Sequence, residues 1–524
     1  MTAGPAGGTF PTVEMSLPRN LCRTTTAALL AGMALQVGAE PWPAYRGPTG
    51  DGVCHEPIRT DWPPEGPPLL WRRPLTDGFG SVTVADGRVY TLIRQREPED
   101  REMCVALDVG TGEELWRTDV GEAWYDAGPA GASQGSDGPR STPVYANGRL
   151  YIWGSHLLFS CLDAATGEVL WRRDFKQEFN AGEPPWHQAA SPVVMDGLVL
   201  INVRVAGRCL MALDPEDGSI RWSHGNYLST HATPVPVEWN GQRQMVVLTT
   251  RRLAGIEPAT GRVLWSHDLT MNTISVAASP VICGNRVYVS AGYSTGAAVV
   301  EVNPTGDGWT TTRLWGLKRS LVNHWSTPVE KDGFLYGHYG FKKYTTAPLC
   351  CVEAATGEIR WRQDGFGQSG LIRVGDRLLA MTATGEAVLI EANPDAYREL
   401  ARFRAIQNGV VWNVPAISDG RLFVRSTREI AVYDVAPPPP PRLILKAGRA
   451  FGNRLRLTVE RADGQPLDAD LAGRVELRWS EDLGQPPDQW EVAPPSLLWL
   501  NGVLLYEEEI PAGAGSRFYR VVVP

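Results

Sequence analysis

The sequence predicts an all-β protein, an eight-bladed β-propeller closed by an N-terminal strand and followed by a small β-sandwich-like module. Three observations predict it. A short motif recurs five times: Ala106-Leu107-Asp108, Thr111-Gly112 and Trp116 return around Thr166-Gly167 and Trp171, Gly218 and Trp222, Thr260-Gly261 and Trp265, and Thr356-Gly357 and Trp361. The copies lie roughly 40 to 55 residues apart, the period of propeller blades. Ser/Thr-Pro-Val triplets begin the units, at Thr142, Ser191, Thr233, Ser279 and Thr327. Asx-Gly pairs follow them at Asp86-Gly87, Asn147-Gly148, Asp196-Gly197, Asp332-Gly333 and Asp419-Gly420.

Residues 1–39 read as an export signal. Arg19 and Arg23 precede an apolar run from Ala27 to Val37, and Val37-Gly38-Ala39 has the small residues of a cleavage site. The run is too short to span a bilayer. Residues 1–14 are Gly/Pro-rich and unlike the start of a signal, so the expected true start is Met15. An N-terminal extension, 40–68, precedes the propeller at 69–436.

Within the propeller each unit is expected to hold four strands. Proline cannot donate to a strand ladder, so a strand led by Ser/Thr-Pro is an edge strand, as the innermost strand of a blade is. Asx-Gly then suits a type I′ hairpin. A third strand runs into the Thr-Gly turn, whose glycine takes a left-handed conformation. The outer strand carries the Trp, which wedges against the neighbouring blade. As a buried aromatic, Trp171 is expected to cost about 3–5 kcal/mol when truncated to Ala.

Inner-strand starts near residues 81, 141, 190, 232, 278, 326, 369 and 414 give eight blades. The last holds only three strands, and Leu69–Arg73 reads as an outer strand without a blade. Pairing the two closes the ring and removes the open edge. In the fifth blade Trp315 keeps the outer position, and in the seventh Phe403 replaces the Trp. Pro437–Pro441 is a stiff spacer. Residues 442–524 carry alternating strands, such as Arg454–Val459 and Val475–Trp479, and form the C-terminal β module.

A formal net charge of -8, with no dense Lys/Arg run, excludes nucleic acid as an expected partner. Seven cysteines lie beyond residue 39, too sparse and odd in number for a disulfide framework. No Cys-x-x-Cys-His is present, so covalent c-type haem is not expected.

The repeat Ala106-x-Asp108-x-x-Thr111-Gly112-x-x-x-Trp116 resembles the PQQ-like repeat of quinoprotein-type propellers, and the resemblance covers residues 69–435. That superfamily includes dehydrogenases that hold pyrroloquinoline quinone and Ca²⁺ in the central channel, and cofactor-free members such as BamB-like outer-membrane assembly factors. The opening Trp42-Pro43-x-Tyr45-Arg46-Gly47-Pro48 resembles the segment after the signal peptide in exported PQQ-like repeat proteins. The closing Phe518-Tyr519-Arg520 resembles the end of C-terminal β modules in secreted bacterial proteins.

Some quinoprotein alcohol dehydrogenases place a disulfide between adjacent cysteines against the cofactor. Cys350-Cys351 invites that reading, but its register favours packing. Five residues before the turn, Cys351 aligns with Ala106, Cys161, Ala212 and Gly255, a position that takes small residues. Adjacent strand residues also point to opposite faces.

A ligand site is expected where the loops entering the inner strands converge on the channel mouth. The candidates there are Arg140, Trp186, His187, Gln188, His231, Asn323, His324, Trp325, Trp412 and Asn413. His187, His231 and His324 are placed by register, and converging imidazoles suit a metal ion or acid–base work; the alternative is that each bonds a neighbouring blade's backbone. The carboxylates in these segments are Asp137 and Glu183, and no set fit for Ca²⁺ and a quinone can be assigned.

The leading expectation is an exported, periplasmic or secreted scaffold. It binds a protein or polysaccharide partner at this face, with no catalysis, cofactor or metal of its own. The alternative is a dehydrogenase of alcohols or sugars that uses pyrroloquinoline quinone and Ca²⁺; a hydrolase or lyase using the histidines is a third reading.

Overall fold

The computed structural model describes residues 29–30 and 40–524, apart from 126–136, 307, 439–440, 450–453, 483, 487–488, 494–496, 510–516 and 524. The chain divides into two compact units, Gly38–Pro437 and a second made of Met1–Val37 with Pro438–Pro524. The export-signal segment lies outside the described residues except for Leu29–Leu30, which pair in parallel with Tyr519 and Arg520. Part of the proline spacer lies outside them too.

The first unit is a β-propeller built of antiparallel four-stranded sheets in chain order. Eight sheets lie among its described residues, seven of four strands and one, the seventh, of five, with inner antiparallel strands at Thr83–Ala85, Val144–Ala146, Val193–Met195, Val235–Trp239, Val281–Cys283, Val329–Lys331, Leu371–Val374 and Ala416–Ser418. They are called the first to the eighth sheet below. Where a Ser/Thr-Pro pair is present, the strand begins on the residue after the proline, because the ladder starts once a donor is available. The hairpins that follow are type I′ in form: Asp86 and Gly87 have φ of 48° and 72°, Asn147 and Gly148 of 50° and 77°.

The Ser/Thr before each proline has a separate role. Ser81 N donates to Thr142 Oγ1 (3.0 Å), Thr142 N to Ser191 Oγ (2.9 Å), and Ser191 N to Thr233 Oγ1 (3.0 Å). Ser279 N donates likewise to Thr327 Oγ1 (3.0 Å). Val414 N donates to Ser81 Oγ (2.9 Å), which joins the eighth sheet to the first. This hydroxyl collar satisfies inner-edge amides that have no ladder partner.

Closure on the outside is by strand exchange. Leu69–Pro74 pairs antiparallel with Glu429–Asp434 and completes the eighth sheet.

The outer seams explain the repeat. Asp108 Oδ1 accepts from Gly110 N, Thr111 N and Thr111 Oγ1, which fixes the turn before Gly112. Across five of the seams, the indole of one sheet covers the turn glycine of the next. A Cβ on Gly112 would meet Trp71 at 2.4 Å, on Gly167 Trp116 at 2.6 Å, on Gly218 Trp171 at 2.7 Å, and on Gly261 Trp222 at 2.5 Å. The indole N–H then donates to a carbonyl of that next sheet, as Trp116 does to Ala164 (3.3 Å), Trp171 to Pro215 (3.1 Å), Trp222 to Pro258 (2.9 Å) and Trp361 to Asn393 (2.8 Å). Trp315 covers Gly357 in the same way and donates to Ala354 (3.0 Å).

Trp265 departs from this pattern. It is buried and donates to Gln244 Oε1 of its own sheet (2.7 Å), while Trp239 takes the carbonyl of Gly284 across the seam (2.8 Å). The reason lies in the fifth sheet. Its third and fourth strands, Gly296–Thr305 and Gly308–Lys318, form a long hairpin that carries Thr305-Gly306 to its far end, where no indole covers the glycine. Trp171 also needs a correction, because it is half-buried rather than buried. Its truncation is therefore expected to cost about 2–3 kcal/mol, below the full-burial range.

The position five residues before each turn is now explained. Ala106, Cys161, Ala212, Gly255 and Cys351 pair directly with Trp116, Trp171, Trp222, Trp265 and Trp361, so only a small side chain fits beside the indole. Cys350 and Cys351 are free thiols on opposite faces, one packed with Val281 and Tyr288, the other with Tyr336 and Phe366.

The second unit holds two four-stranded sheets. One comprises Leu443–Arg449, Arg454–Arg461, Val503–Glu509 and Leu498–Leu500; the other comprises Leu29–Leu30, Phe518–Val522, Glu476–Ser480 and Glu491–Val492. Leu457 and Tyr506 of the first share a core with Leu477 and Tyr519 of the second. Among the described residues no helix is long and apolar enough to cross a membrane.

Candidate functional site

The inner-strand entries converge on a cavity of about 160 Å³. The hydroxyl collar supplies part of its lining, through Ser81, Ser191 and Thr233. The N-terminal extension adds Tyr45 to the lining. Trp42 forms a two-way backbone bridge with Val84, and Pro43 O accepts from Tyr145 N (2.8 Å). On the far side Arg46, 1% exposed, donates to Thr327 O (2.8 Å) and Pro328 O (2.7 Å), while Val53–Cys54 adds a parallel strand to the seventh sheet. The extension thus ties sheets one and two to sheets six and seven.

Six of the ten predicted residues line the cavity: Arg140, Trp186, His231, His324, Trp325 and Trp412. The other four lie outside the lining. Asn323 receives the Tyr288 hydroxyl (2.6 Å) and donates to His338 O (2.8 Å); Asn413 donates to Gly80 O (2.6 Å). Gln188 is buried within reach of Ala190 O and Asn202, and His187 turns toward Glu183. These amides close backbone seams instead of waiting for a ligand.

Aromatic rings dominate the wall. Trp325 and Trp412 have centroids 4.2 Å apart; Tyr344 stacks on both, at 5.7 and 5.6 Å, and Phe79 stacks on Trp412 at 4.9 Å. Tyr293 meets His324 edge-on at 5.5 Å. Sequence reasoning missed Phe79, Tyr293 and Tyr344. The two tyrosines stand in loops between second and third strands, which open on the same mouth as the inner-strand entries.

Polar atoms in this wall are left over. Arg140 Nη1, Trp325 Nε1, His231 Nδ1 and His324 Nδ1 are buried without a hydrogen-bond partner. The other side of Arg140 is held by Asp137 (2.6 Å). His231 Nε2 lies 2.7 Å from Pro185 O, and a carbonyl only accepts, so this nitrogen carries the proton and Nδ1 is an acceptor. Burial lowers both His231 and His324 to about 4, so both are neutral at pH 7. The cavity therefore offers one fixed cation, indole and guanidinium donors, imidazole acceptors and flat apolar plates.

Backbone strain places Trp186. Trp186 and His187 both have left-handed φ, 68° and 60°, a conformation that costs bulky residues of order 1–3 kcal/mol each. Hydrogen bonds from His187 N to Pro184 O and from Gln188 N to Ser155 O, both 3.0 Å, hold the loop in this shape.

The family model described as outer membrane protein assembly factor BamB matches residues 100–363. The chain belongs to this PQQ-like repeat family. The BamB assembly factor of Yersinia pestis is 32% identical over 207 residues, 37% of this chain and 48% of that protein. That of Shewanella oneidensis is 25% identical over 166 residues, 30% and 39% of the two chains. The chain thus spans half or less of the curated relatives it matches. The crystal structure of quinohemoprotein alcohol dehydrogenase from Comamonas testosteroni superposes with a TM-score of 0.53 at 13% identity, over 79% of this chain and 83% of that one, a likeness of fold alone.

Proposed function

We propose that this chain is an exported, eight-bladed propeller scaffold that binds a polypeptide segment at its channel mouth, as an assembly factor of the BamB type, with the C-terminal β-sandwich as an appended module. The observation that carries the reading is the leftover donor and acceptor set in an aromatic wall. A peptide group brings a carbonyl for Arg140 Nη1 and Trp325 Nε1 and an N–H for His231 Nδ1, while its side chain stacks on the Trp325, Trp412 and Tyr344 rings. Membership of the BamB family supports a protein partner over a polysaccharide.

The dehydrogenase alternative has the fold in its favour and not the donor set. Ca²⁺ and an anionic quinone call for several carboxylate and carbonyl oxygens. Among the described residues that line the cavity none is Asp or Glu. Asp137 is tied to Arg140, and Glu183 to Lys176, His156 and His187.

A photo-crosslinking residue in place of Tyr344 tests this reading in cells. A polypeptide adduct is expected, and it should vanish when Trp325 and Trp412 are both changed to Ala. A thermal-shift titration with pyrroloquinoline quinone plus Ca²⁺ is the counter-test. A saturable joint shift, worth about 2.7 kcal/mol at ~100 times the dissociation constant, with no polypeptide adduct, overturns the proposal in favour of the dehydrogenase.

A further inference from the structure

The loop that turns Trp186 into the cavity wall turns His187 the other way, toward two residues that the channel mouth does not use. His187 Nδ1 lies 3.0 Å from Glu183 Oε2, and His156 Nδ1 lies 3.1 Å from Glu183 Oε1. The two imidazole rings are 6% and 5% exposed, for His156 and His187, with centroids 4.7 Å apart. One nitrogen or oxygen from each of the three residues falls within 4.8 Å of the others.

Hydrogen-bond geometry fixes the outer face of one ring. His156 Nε2 lies 2.8 Å from Trp124 O, so that nitrogen carries a proton and Nδ1 is the atom that faces a carboxylate oxygen. A proton or a metal cation can stand between that nitrogen and the carboxylate, and the cation is the reading that also employs the second ring. His187 Nε2 is buried with no partner, so the second ring has a nitrogen to spare. The bond from His156 to the Trp124 carbonyl is the outer contact that metal-ligating histidines make to fix ring and tautomer. The Trp124 ring, stacked on His156 at 4.5 Å and 27°, holds it further.

We propose that His156, Glu183 and His187 bind one divalent transition-metal cation of the zinc class, with a fourth position left for water. Bonds of about 2.0–2.1 Å in a tetrahedron put neighbouring ligand atoms about 3.3–3.4 Å apart; the two imidazoles lie 3.0 and 3.1 Å from different oxygens of Glu183, and one ligand atom from each residue falls within 4.8 Å of the others, so side-chain rotations of about an ångström would draw the three onto one ion. Two imidazoles with one carboxylate suit a borderline cation and not Ca²⁺ or Mg²⁺, which take all-oxygen shells. Lys176 Nζ, 2.6 Å from Glu183 Oε1, holds the place of the metal charge. Its side chain is 41% exposed and free to swing into solvent when the cation enters.

The test is a titration of the purified chain with Co²⁺, read by visible ligand-field absorption, and with Zn²⁺ by calorimetry. One equivalent should bind. His156→Ala and Glu183→Gln should each weaken it by about 100-fold or more, since each removes a ligand. His224→Ala, at an exposed imidazole, should leave it unchanged. Lys176→Ala separates the proposal from a purely ionic cluster and acts at a surface side chain that folding tolerates. It should tighten the metal several-fold by removing a competitor. Absence of saturable binding, binding indifferent to His156 and Glu183, or a Lys176→Ala variant that binds no more tightly overturns the proposal.

Discussion

The outer seams and the channel mouth of the propeller are built at matching places in successive sheets, yet they use sequence in opposite ways. At the seams the same contact recurs: an indole lies over a left-handed glycine and donates to a carbonyl of the next sheet. At the mouth, above the collar, the sheets contribute Phe79, Arg140, Trp186, His231, Trp325 and Trp412, and apart from Trp325 and Trp412, each four residues before its inner strand, these large side chains differ from sheet to sheet. Repetition therefore carries closure of the ring, where each joint must solve one packing problem. Individuality carries recognition, where each position faces a different part of one ligand.

Breaking a seam should have the largest effect. Gly218 has φ of 72° and a Cβ there would lie 2.7 Å from the Trp171 ring. Gly218→Ala carries both the left-handed penalty, about 1–2 kcal/mol, and overpacking of about 1–3 kcal/mol. Urea denaturation should show a loss of about 3 kcal/mol. Trp171→Ala alone should cost about 2–3 kcal/mol, and the double variant should cost less than the sum by about 1 kcal/mol or more, because the added methyl no longer meets an indole. Strict additivity would show that the two side chains do not meet across the seam.

Between pH 7.5 and 5 acid should act on the axis and spare the seams, where hydrogen bonds from Thr111 hold the Asp108 carboxyl below its ordinary value. His231, His324 and His338 are each lowered to about 4 by burial, from an ordinary value of 6.5. The unfolded chain then binds more protons than the folded one between these limits, so stability is complete above pH 6.5 and falls as the pH drops toward 4. The slope reaches at most about 1.4 kcal/mol per pH unit for each histidine. Denaturation midpoints at pH 7.5, 6 and 5 check this; a flat profile would mean that these imidazoles are solvated.

The same contrast explains what the sequence made legible. The seam follows from local rules: Asp108 caps its own turn, Asn147-Gly148 sets a hairpin, and Cys161 must be small because Trp171 lies opposite. The reversal of Trp265 depended on what the following sheet lacks, a relation between units that one repeat does not contain. At the mouth, register located the entry loops but not the direction of each side chain. His187 leaves the cavity because it and Trp186 adopt left-handed backbone that bulky residues rarely announce. Asn323 and Asn413 look like ligand groups in sequence, and only the neighbouring strands reveal the carbonyls that occupy them. His156 stayed hidden because it stands, like Tyr293 and Tyr344, in a loop between second and third strands, which the register of the inner-strand entries does not locate.

The smallest effect on stability should come from the residue with the largest effect on binding. Trp325 is partly exposed and its indole nitrogen has no partner, so Trp325→Ala removes ring contacts with Trp412 and Tyr344 but breaks no hydrogen bond. Losing those stacked contacts should cost about 1 kcal/mol, against the about 2–3 kcal/mol expected for Trp171 at the seam. A melting curve close to that of the parent chain, together with loss of the crosslinked adduct, assigns the ring to recognition. A loss of stability equal to that of Trp171→Ala would instead make the aromatic wall part of the ring's closure. The division between repeated joints and individual contacts would then hold for sequence and not for energy.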